Sequence, residues 1–456
     1  MLTITNPRSH RNVLIRLAVI LLVSIAVPGI CIFIGIHDSL RRAANALENR
    51  KAALRASGVP LDDESLDTWY KLRATEEDSA EWLAIFESDE FMRATERVRV
   101  LSSTENDAAI ADWPDGVRCR EFLDETRHLR KRIRERSQRK QRVRFPIEFN
   151  SWGTRIPYIY AVEGSSRIFG VEFLAAFHDN HSLAMREAIA TRMELSEVCR
   201  GEPIQVSQLM CADMRVAAIR DLGKAIRANR LAVDDLRSLL ELLINLDSLI
   251  DDWPIQMASE RAMGIQLSNR PDDISGFKES KSPLIRWLGK GTSSRDVENF
   301  LDGVGRFENI DTSSMDEFLN QAIQIESSIH VEYETPNLLA GRHWLFTGLL
   351  LGKQSKVAQE LVAVRMLEQI AILGTGIRLY QAENGMLPDQ LSDLAKLGID
   401  FRQLFPIGGK PYGYLREGNG AVLWGTHPSL GTATSDKPSR QSPSRKDDLD
   451  FCWELK

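Results

Sequence analysis

The sequence predicts a mainly α-helical protein with an N-terminal transmembrane helix, a helical-hairpin body and a small C-terminal α+β module. In that module a long helix is expected to lie on a short antiparallel sheet. Three patterns in the 456 residues lead to this fold class. Residues 17–36 hold no charge, apolar residues recur every three or four positions between 168 and 250, and strand-like alternation follows residue 411.

Residues 17–36 form the predicted membrane anchor. An apolar helix of about 20 residues, at about 1.5 Å each, spans the roughly 30 Å hydrocarbon core of a bilayer. A cleaved signal peptide is the alternative, but its apolar core ends after about 7–15 residues, whereas this run continues well past Ser24. Positive residues flank both ends, so the positive-inside rule does not orient the chain. The short tail of residues 1–16 favours a cytoplasmic N-terminus and an extracytoplasmic body.

Breaks in the helical pattern divide the chain after the anchor. The apolar stripe between 168 and 250 is interrupted by short polar turns, which predicts back-to-back helical hairpins. Prolines and glycines between 271 and 291, without clear periodicity, predict a linker or mobile loop. The predicted regions are a cytoplasmic tail (1–16), the anchor (17–36), a membrane-proximal helical region (37–145), a helical-hairpin domain (146–263), the linker or mobile loop (264–300), a helical region (301–354) and the α+β module (355–456).

The C-terminal module is predicted from a change of pattern after a long helix at about 355–383. Gly385 follows this helix and is suited to the left-handed conformation that ends helices. Residues 411–415 and 421–424 alternate like strands around a Gly-Asn-Gly turn, and residues 449–455 are expected to return as a last strand. Two or three short strands need a covering helix for stability, which the long helix provides.

Three blocks of this module carry a resemblance to a known family. They are residues 380–394 with the spacing Tyr-x4-Gly-x2-Pro-x2-Leu-x2-Leu, a Gly-Lys-Pro hairpin at 409–414, and residues 422–425. In this order they resemble the globular domain of the major pseudopilin of type II secretion. Together with blocks at 54–60 and 202–209, they also resemble large uncharacterised membrane-anchored proteins of planctomycete-type bacteria. The resemblance implies an architecture and an extracytoplasmic body, but no chemistry.

The chain departs from the pseudopilin pattern in ways that bear on metal binding. It lacks the processing site before the apolar run, and several hundred residues separate that run from the module. The pseudopilin's last loop binds calcium through clustered acids, and Ca²⁺ takes six to eight oxygen ligands. Here basic and proline-containing chain interrupts the acids, so we expect no metal site. The candidate ligands, if one were retained, are Asp436, Asp447, Asp448 and Asp450.

The basic segment at 127–144 is the strongest charge feature, with ten Lys or Arg residues and a single acid. The functional interpretation is a site for an anionic surface, with Arg130, Arg134 and Lys140 as candidates. The segment holds no aromatic residue on which bases could stack, which disfavours nucleic acid. We favour the structural interpretation, in which acidic faces of neighbouring helices supply the counter-charges.

No linear motif of catalysis or cofactor binding occurs in the sequence, so we expect no catalytic residue and no cofactor. The pair His178 and His181 is interpreted as a hairpin turn rather than a metal site. Asp234 and Asp235 are placed at a helix start, where acids complement the helix dipole. An enzyme assembled from scattered polar residues is the open alternative.

Cysteine is sparse outside the anchor, and spacing alone does not give its pairing. Buried free thiols are favoured over disulfides. The cysteines concerned are Cys119, Cys199, Cys211 and Cys452.

Taken together, these patterns predict a single-pass protein of the inner (cytoplasmic) membrane with an extracytoplasmic C-terminal body. Its expected role is to bind or scaffold a protein of the cell envelope, and no nucleic-acid partner is expected. The net charge of −6 points to no particular ligand. The alternatives are an envelope enzyme of hydrolase type and a pseudopilin-like component associated with a secretion system.

Overall fold

The computed structural model describes residues 7–72, 77–102, 116–139, 143–150, 153–269, 283–334, 347, 350–400, 404, 411–418, 420–425 and 452–455. The fold is mainly helical with a small antiparallel sheet, as predicted. The helices are α1 (Pro7–Ala56), α2 (Asp63–Lys71), α3 (Glu77–Phe86), α4 (Asp89–Ser102), α5 (Gly116–Glu125), α6 (Arg127–Ser137), α7 (Pro157–His178), α8 (Ser182–Val198), α9 (Gln205–Arg227), α10 (Val233–Ile244), α11 (Trp253–Asn269), α12 (Pro283–Glu308), α13 (Met315–Glu334) and α14 (Gln354–Asn384). Within the described residues there are also two 3₁₀ segments (Leu249–Asp252, Leu391–Leu397) and three strands, β1 (Gly413–Glu417), β2 (Gly420–Trp424) and β3 (Cys452–Leu455).

Helix α1 is continuous over 50 residues and contains the predicted anchor. Its side chains before Ser24 lie outside the described part. Every residue from 30 to 38 is exposed, whereas Ala43 and Leu47 are buried and α1 packs against α12. Among the helices as described, none is both long and apolar enough to cross a bilayer.

The body between α7 and α10 is consistent with the predicted helical hairpins. Asn180 and Asn229 take left-handed backbone conformations, with φ of 55° and 52°, at two of the predicted breaks. Such a conformation suits Asn in tight turns. The Nδ1 atom of His181 accepts a hydrogen bond from the Ala184 N–H (3.2 Å), so this histidine caps α8.

The prediction of a linker or mobile loop at 264–300 is wrong at both ends of this range, where the structure has helix. Helix α11 continues to Asn269, α12 begins at Pro283, and residues 270–282 lie outside the described residues. A Cβ atom at Gly264 would clash with the Phe300 ring, so this glycine permits close helix packing instead of ending the helix. Proline is well tolerated at the first position of a helix, because the N–H that it lacks has no helical partner there.

The described residues at the C-terminal end contain the predicted long helix and a small antiparallel sheet. Helix α14 spans Gln354–Asn384 and ends at Gly385, whose φ is +72°. The strands form one sheet in the order β1-β2-β3, antiparallel throughout. The buried Tyr412 hydroxyl donates to Oε1 of Gln369 on α14 (2.7 Å), which fixes the sheet against the helix.

Helix α14 and the sheet are part of the main core. The helix packs against α9, α10 and α13, and buried apolar residues from Leu47 to Leu455 form one contiguous cluster. Trp453 of β3 is inserted between α9 and α14. A Cβ atom at Gly223 or Gly374 would lie only 3.1 Å or 2.5 Å from its indole ring, so both glycines make room for it.

Candidate functional site

The predicted anionic-surface residues Arg130 and Arg134 are held inside the protein. Both pair with Glu172 of α7, at 2.5 Å and 2.8 Å, and their side chains are 12% and 20% exposed. The Arg134 Nε atom also donates to the Thr191 hydroxyl (3.3 Å). Lys140 lies outside the described residues. These two guanidinium groups therefore tie α6 to α7 and α8.

Other members of the basic segment also face acids. Arg136 and Arg139 both lie near Glu81 of α3, at 3.2 Å and 2.9 Å, and exposed Lys131 lies 3.7 Å from Glu135. Among the described residues of the segment, four arginines thus face acids of α3 and α7, and Arg130 and Arg134 are partly buried where a solvated helix was expected.

The calcium candidates Asp436, Asp447, Asp448 and Asp450 all lie outside the described residues. Elsewhere in the described chain, no group of three or more His, Cys, Asp or Glu residues is arranged to hold a metal ion.

The remaining polar candidates from the sequence have structural roles. Asp234 and Asp235 lie in the first turn of α10, and the Ser182 hydroxyl donates to Oδ2 of Asp235 (2.5 Å). Three buried cysteines form no disulfide bond within the described residues, while the side chain of Cys452 lies outside the described part. Those three are Cys119, Cys199 and Cys211.

A buried charge network that the sequence analysis missed joins α8, α9 and α14. Arg215 is 1% exposed, and its guanidinium pairs with Glu368 of α14 at 2.5 Å and with Glu197 of α8. Arg200, also 1% exposed, pairs with Glu197 at 3.2 Å and with Asp252. Buried ions are tolerated only when paired, so these contacts fix how the three helices pack.

The signal for this network was present in the helical pattern. Arg215 lies four residues from both Cys211 and Ile219, on the stripe that the apolar periodicity assigns to the core. A charge on such a stripe needs a buried partner, but spacing does not reveal that the partner is Glu368.

A polar cleft of about 570 Å³ lies beside the network. The loop 57–60 after α1, Trp69 of α2, Asp251 and Arg261 line it. Arg261 pairs with Glu308 across one wall. The cleft offers mixed charge and an aromatic surface, which suits binding of a polar group more than acid–base chemistry.

Glu202, in the turn between α8 and α9, is a buried acid. The Ser207 hydroxyl donates to its Oε2 atom (2.5 Å). Burial raises the pKa of Glu202 to about 8, and the Ser207 hydrogen bond and nearby Tyr158 hydroxyl offset only part of this shift. Charge is costly in such surroundings, so Glu202 is mainly neutral at pH 7.

Three further buried oxygens belong to the same region. The hydroxyls of Tyr70 and Tyr158 and the Oε1 atoms of Glu202 and Gln208 are buried and make no hydrogen bond of good geometry within the described structure, although the Tyr158 hydroxyl lies close enough to Glu202 to lower its pKa, and the Phe145 backbone to Tyr70 to lower that of the tyrosine. They come from α2, α7, the α8–α9 turn and α9. We refer to these four buried polar side chains together as the polar chamber.

No protein-family model, curated protein or solved structure matches this chain. Function therefore has to be argued from the residues themselves, and the resemblance to pseudopilins and to planctomycete-type membrane proteins stays a hypothesis.

Proposed function

We propose that the protein is a single-pass membrane protein whose helical body binds or scaffolds other components of the cell envelope. The observation that carries this proposal is the change of environment along α1. Side chains at Ile30, Ile32, Phe33 and Ile34 are 57 to 62% exposed, although they point to different sides of the helix. Apolar surface left in water costs about 25 cal/mol per Å², and a bilayer removes that cost.

The continuity of α1 supports a scaffolding role. Beyond residue 36 the helix continues to Ala56, about 30 Å at 1.5 Å per residue. Over this stretch Arg295 donates to the Ser39 hydroxyl, and Arg50 lies 3.5 Å from Asp302. The anchor and the body thus share one element, which holds the body at a set distance from the membrane.

The polar cleft supports binding as the task of the body. It begins at the loop 57–60, the end of α1 that lies farthest from the proposed anchor. Most of its charged residues are paired with one another, as Arg261 is with Glu308, but Asp251 is exposed there beside the aromatic surface of Trp69. A partner is therefore proposed to contact this end of the body.

Membrane fractionation tests the anchor. The full chain should stay with membranes in alkaline carbonate and require detergent for extraction. Replacing Ala26 and Val27, at the centre of residues 17–36, by Arg should release it, because a charge at the helix centre costs about 2.5–3.5 kcal/mol. Leu72→Arg, at a position that is 84% exposed, is the control and should leave the chain in the membrane. Release of the wild type by carbonate alone would refute the anchor.

A fusion reporter tests the orientation. A reporter that is active only outside the cytoplasm, fused after Lys456, should be active. Activity restricted to a cytoplasm-dependent reporter would place the body inside the cytoplasm.

A photo-crosslinking residue at exposed Asp251, compared with one at Leu72, tests whether the cleft contacts an envelope component in native membranes.

A further inference from the structure

We propose that the first turns of α12 contact the membrane surface beside the anchor and bind anionic lipid headgroups there. The backbone of α12 is helical from Pro283 to Glu308, while the side chains of residues 283–293 lie outside the described part. This contact presupposes the anchor proposed above, because α1 sets the position of α12 relative to the bilayer.

Helix α12 runs parallel to α1. Close to the anchor, the Arg295 guanidinium donates to the Ser39 hydroxyl. Further from the anchor, the Arg50 guanidinium lies 3.5 Å from Asp302. Residue numbers therefore increase in the same direction along both helices, and the first turns of α12 point toward the anchored end of α1.

The polar cleft agrees with this direction at the other end of the two helices. The loop 57–60 after α1 and Glu308, the last residue of α12, both line the cleft. Helix α11 packs antiparallel to α12, because Arg261 pairs with Glu308 whereas the later Gly264 packs against the Phe300 ring. The C-terminal end of α11 and the start of α12 therefore both point toward the membrane.

The length of α12 brings its first turns to the depth of the lipid headgroups. Ser39 lies three residues beyond the predicted anchor, about 4.5 Å of helix. Pro283 precedes Arg295 by 12 residues, about 18 Å of helix, and packed helices cross at only about 20–50°, so most of this length runs along α1. The headgroup layer is about 5–7 Å thick on each side of the hydrocarbon core. The first turns of α12 therefore reach this layer.

The composition of these turns suits a membrane–water interface. Residues 283–294 contain four large apolar residues, two cations and no acid. One of the apolar residues is Trp287, and tryptophan is enriched at the level of the headgroups, where Lys and Arg are attracted by anionic lipid. The cations are Arg286 and Lys290. Every residue of α1 from 30 to 38 is exposed, so α12 diverges from α1 at this level and is left to contact lipid.

Lipid crosslinking from the full chain in phosphatidylglycerol nanodiscs tests the contact. A benzoylphenylalanine probe in place of Trp287 should crosslink to lipid, as should a probe at Ile34 within the anchor. A probe at Leu72, which is 84% exposed and follows α2 on the side of the polar cleft, is the control and should not. Lipid crosslinks at Ile34 with none at Trp287 would overturn the contact and leave the anchor standing. Absence of crosslinks at Ile34 would refute the anchor, and the contact with it.

Charge reversal tests whether the contact is with anionic headgroups. Arg286→Glu combined with Lys290→Glu should lower the lipid crosslinking of the α12 probe about threefold or more, because attraction to phosphatidylglycerol becomes repulsion. The matched control, Arg55→Glu combined with Lys71→Glu, changes the net charge equally at the far end of α1 and on α2, and should leave the yield unchanged. An unchanged Ile34 crosslink and circular dichroism spectrum show that each variant is inserted and folded. Equal yields from the two double variants would overturn the assignment to anionic lipid.

Discussion

Replacing Glu202 by Gln should change how the stability of the protein depends on pH. The ordinary pKa of a glutamate is 4.5, and burial raises that of Glu202 to about 8 in the folded protein. Between these values the folded state holds a proton that the unfolded state has released. The free energy of unfolding contributed by this residue is therefore fully present below pH 4.5 and falls as the pH rises toward 8.

The size of the effect follows from the two pKa values. One pKa unit corresponds to about 1.36 kcal/mol, so the wild type should lose about 3 kcal/mol by pH 7 and roughly 4 kcal/mol by pH 8 relative to pH 4.5. A glutamine at this position cannot ionise, so the free energy of unfolding of the variant does not fall in this way as the pH rises. The stability of Glu202→Gln relative to the wild type should therefore rise by about 1.4 kcal/mol per pH unit.

Urea unfolding of the full chain in detergent at pH 5, 6, 7 and 8 measures this difference. Glu64→Gln, at an exposed position on α2, serves as the control and should follow the wild type at every pH. Parallel curves for the wild type and Glu202→Gln across this range would refute the claim that Glu202 is buried as a neutral acid.

Three further outcomes are expected from packing and backbone geometry. Glu368→Gln leaves Arg215 buried without one of its two carboxylates, so the free energy of unfolding should fall by about 3 kcal/mol or more; a loss below about 1 kcal/mol would contradict the network. Arg134→Gln should destabilise clearly in urea unfolding, whereas Lys131→Gln, 71% exposed, should have little effect; equal effects would mean that the whole segment is solvated. Gly385→Val places a β-branched residue at a φ of +72°, so thermal unfolding should show a loss of about 1–2 kcal/mol, and an unchanged melting temperature would argue against this cap.

Local sequence patterns predicted the structure correctly at positions where a single residue determines the backbone conformation. The end of α14 at Gly385 follows from the missing Cβ, and the hairpin of β1 and β2 follows from alternation around glycines. The linker prediction failed because prolines and glycines between 271 and 291 were interpreted as helix breakers over the whole range, whereas Pro283 begins α12 and Gly264 admits the Phe300 ring. That role depends on a helix elsewhere in the chain, which no local pattern contains.

The polar chamber and the charge network were beyond prediction for the same reason. Tyr70 and Tyr158 occupy ordinary apolar positions of α2 and α7 in the sequence pattern, and Glu202 belongs to a turn. Only the folded structure shows that both tyrosine hydroxyls are buried close enough to Glu202 for its charge to raise their pKa. The sequence shows that some of these groups occupy unusual positions, such as Arg215 on an apolar stripe. It does not show which residues contact them in the folded protein.

The position of Trp453 has a consequence for the order in which the chain folds. Hairpins such as α7 with α8 join neighbours in sequence and can form while the chain is still being synthesised. The slot between Gly223 and Gly374 is filled by Trp453 of β3, which follows both glycines in the chain. Until β3 has been synthesised, this slot between α9 and α14 stays unfilled. Insertion of β3 is therefore a late step of folding, and a chain in which β3 is displaced exposes apolar surface that chaperones and proteases recognise.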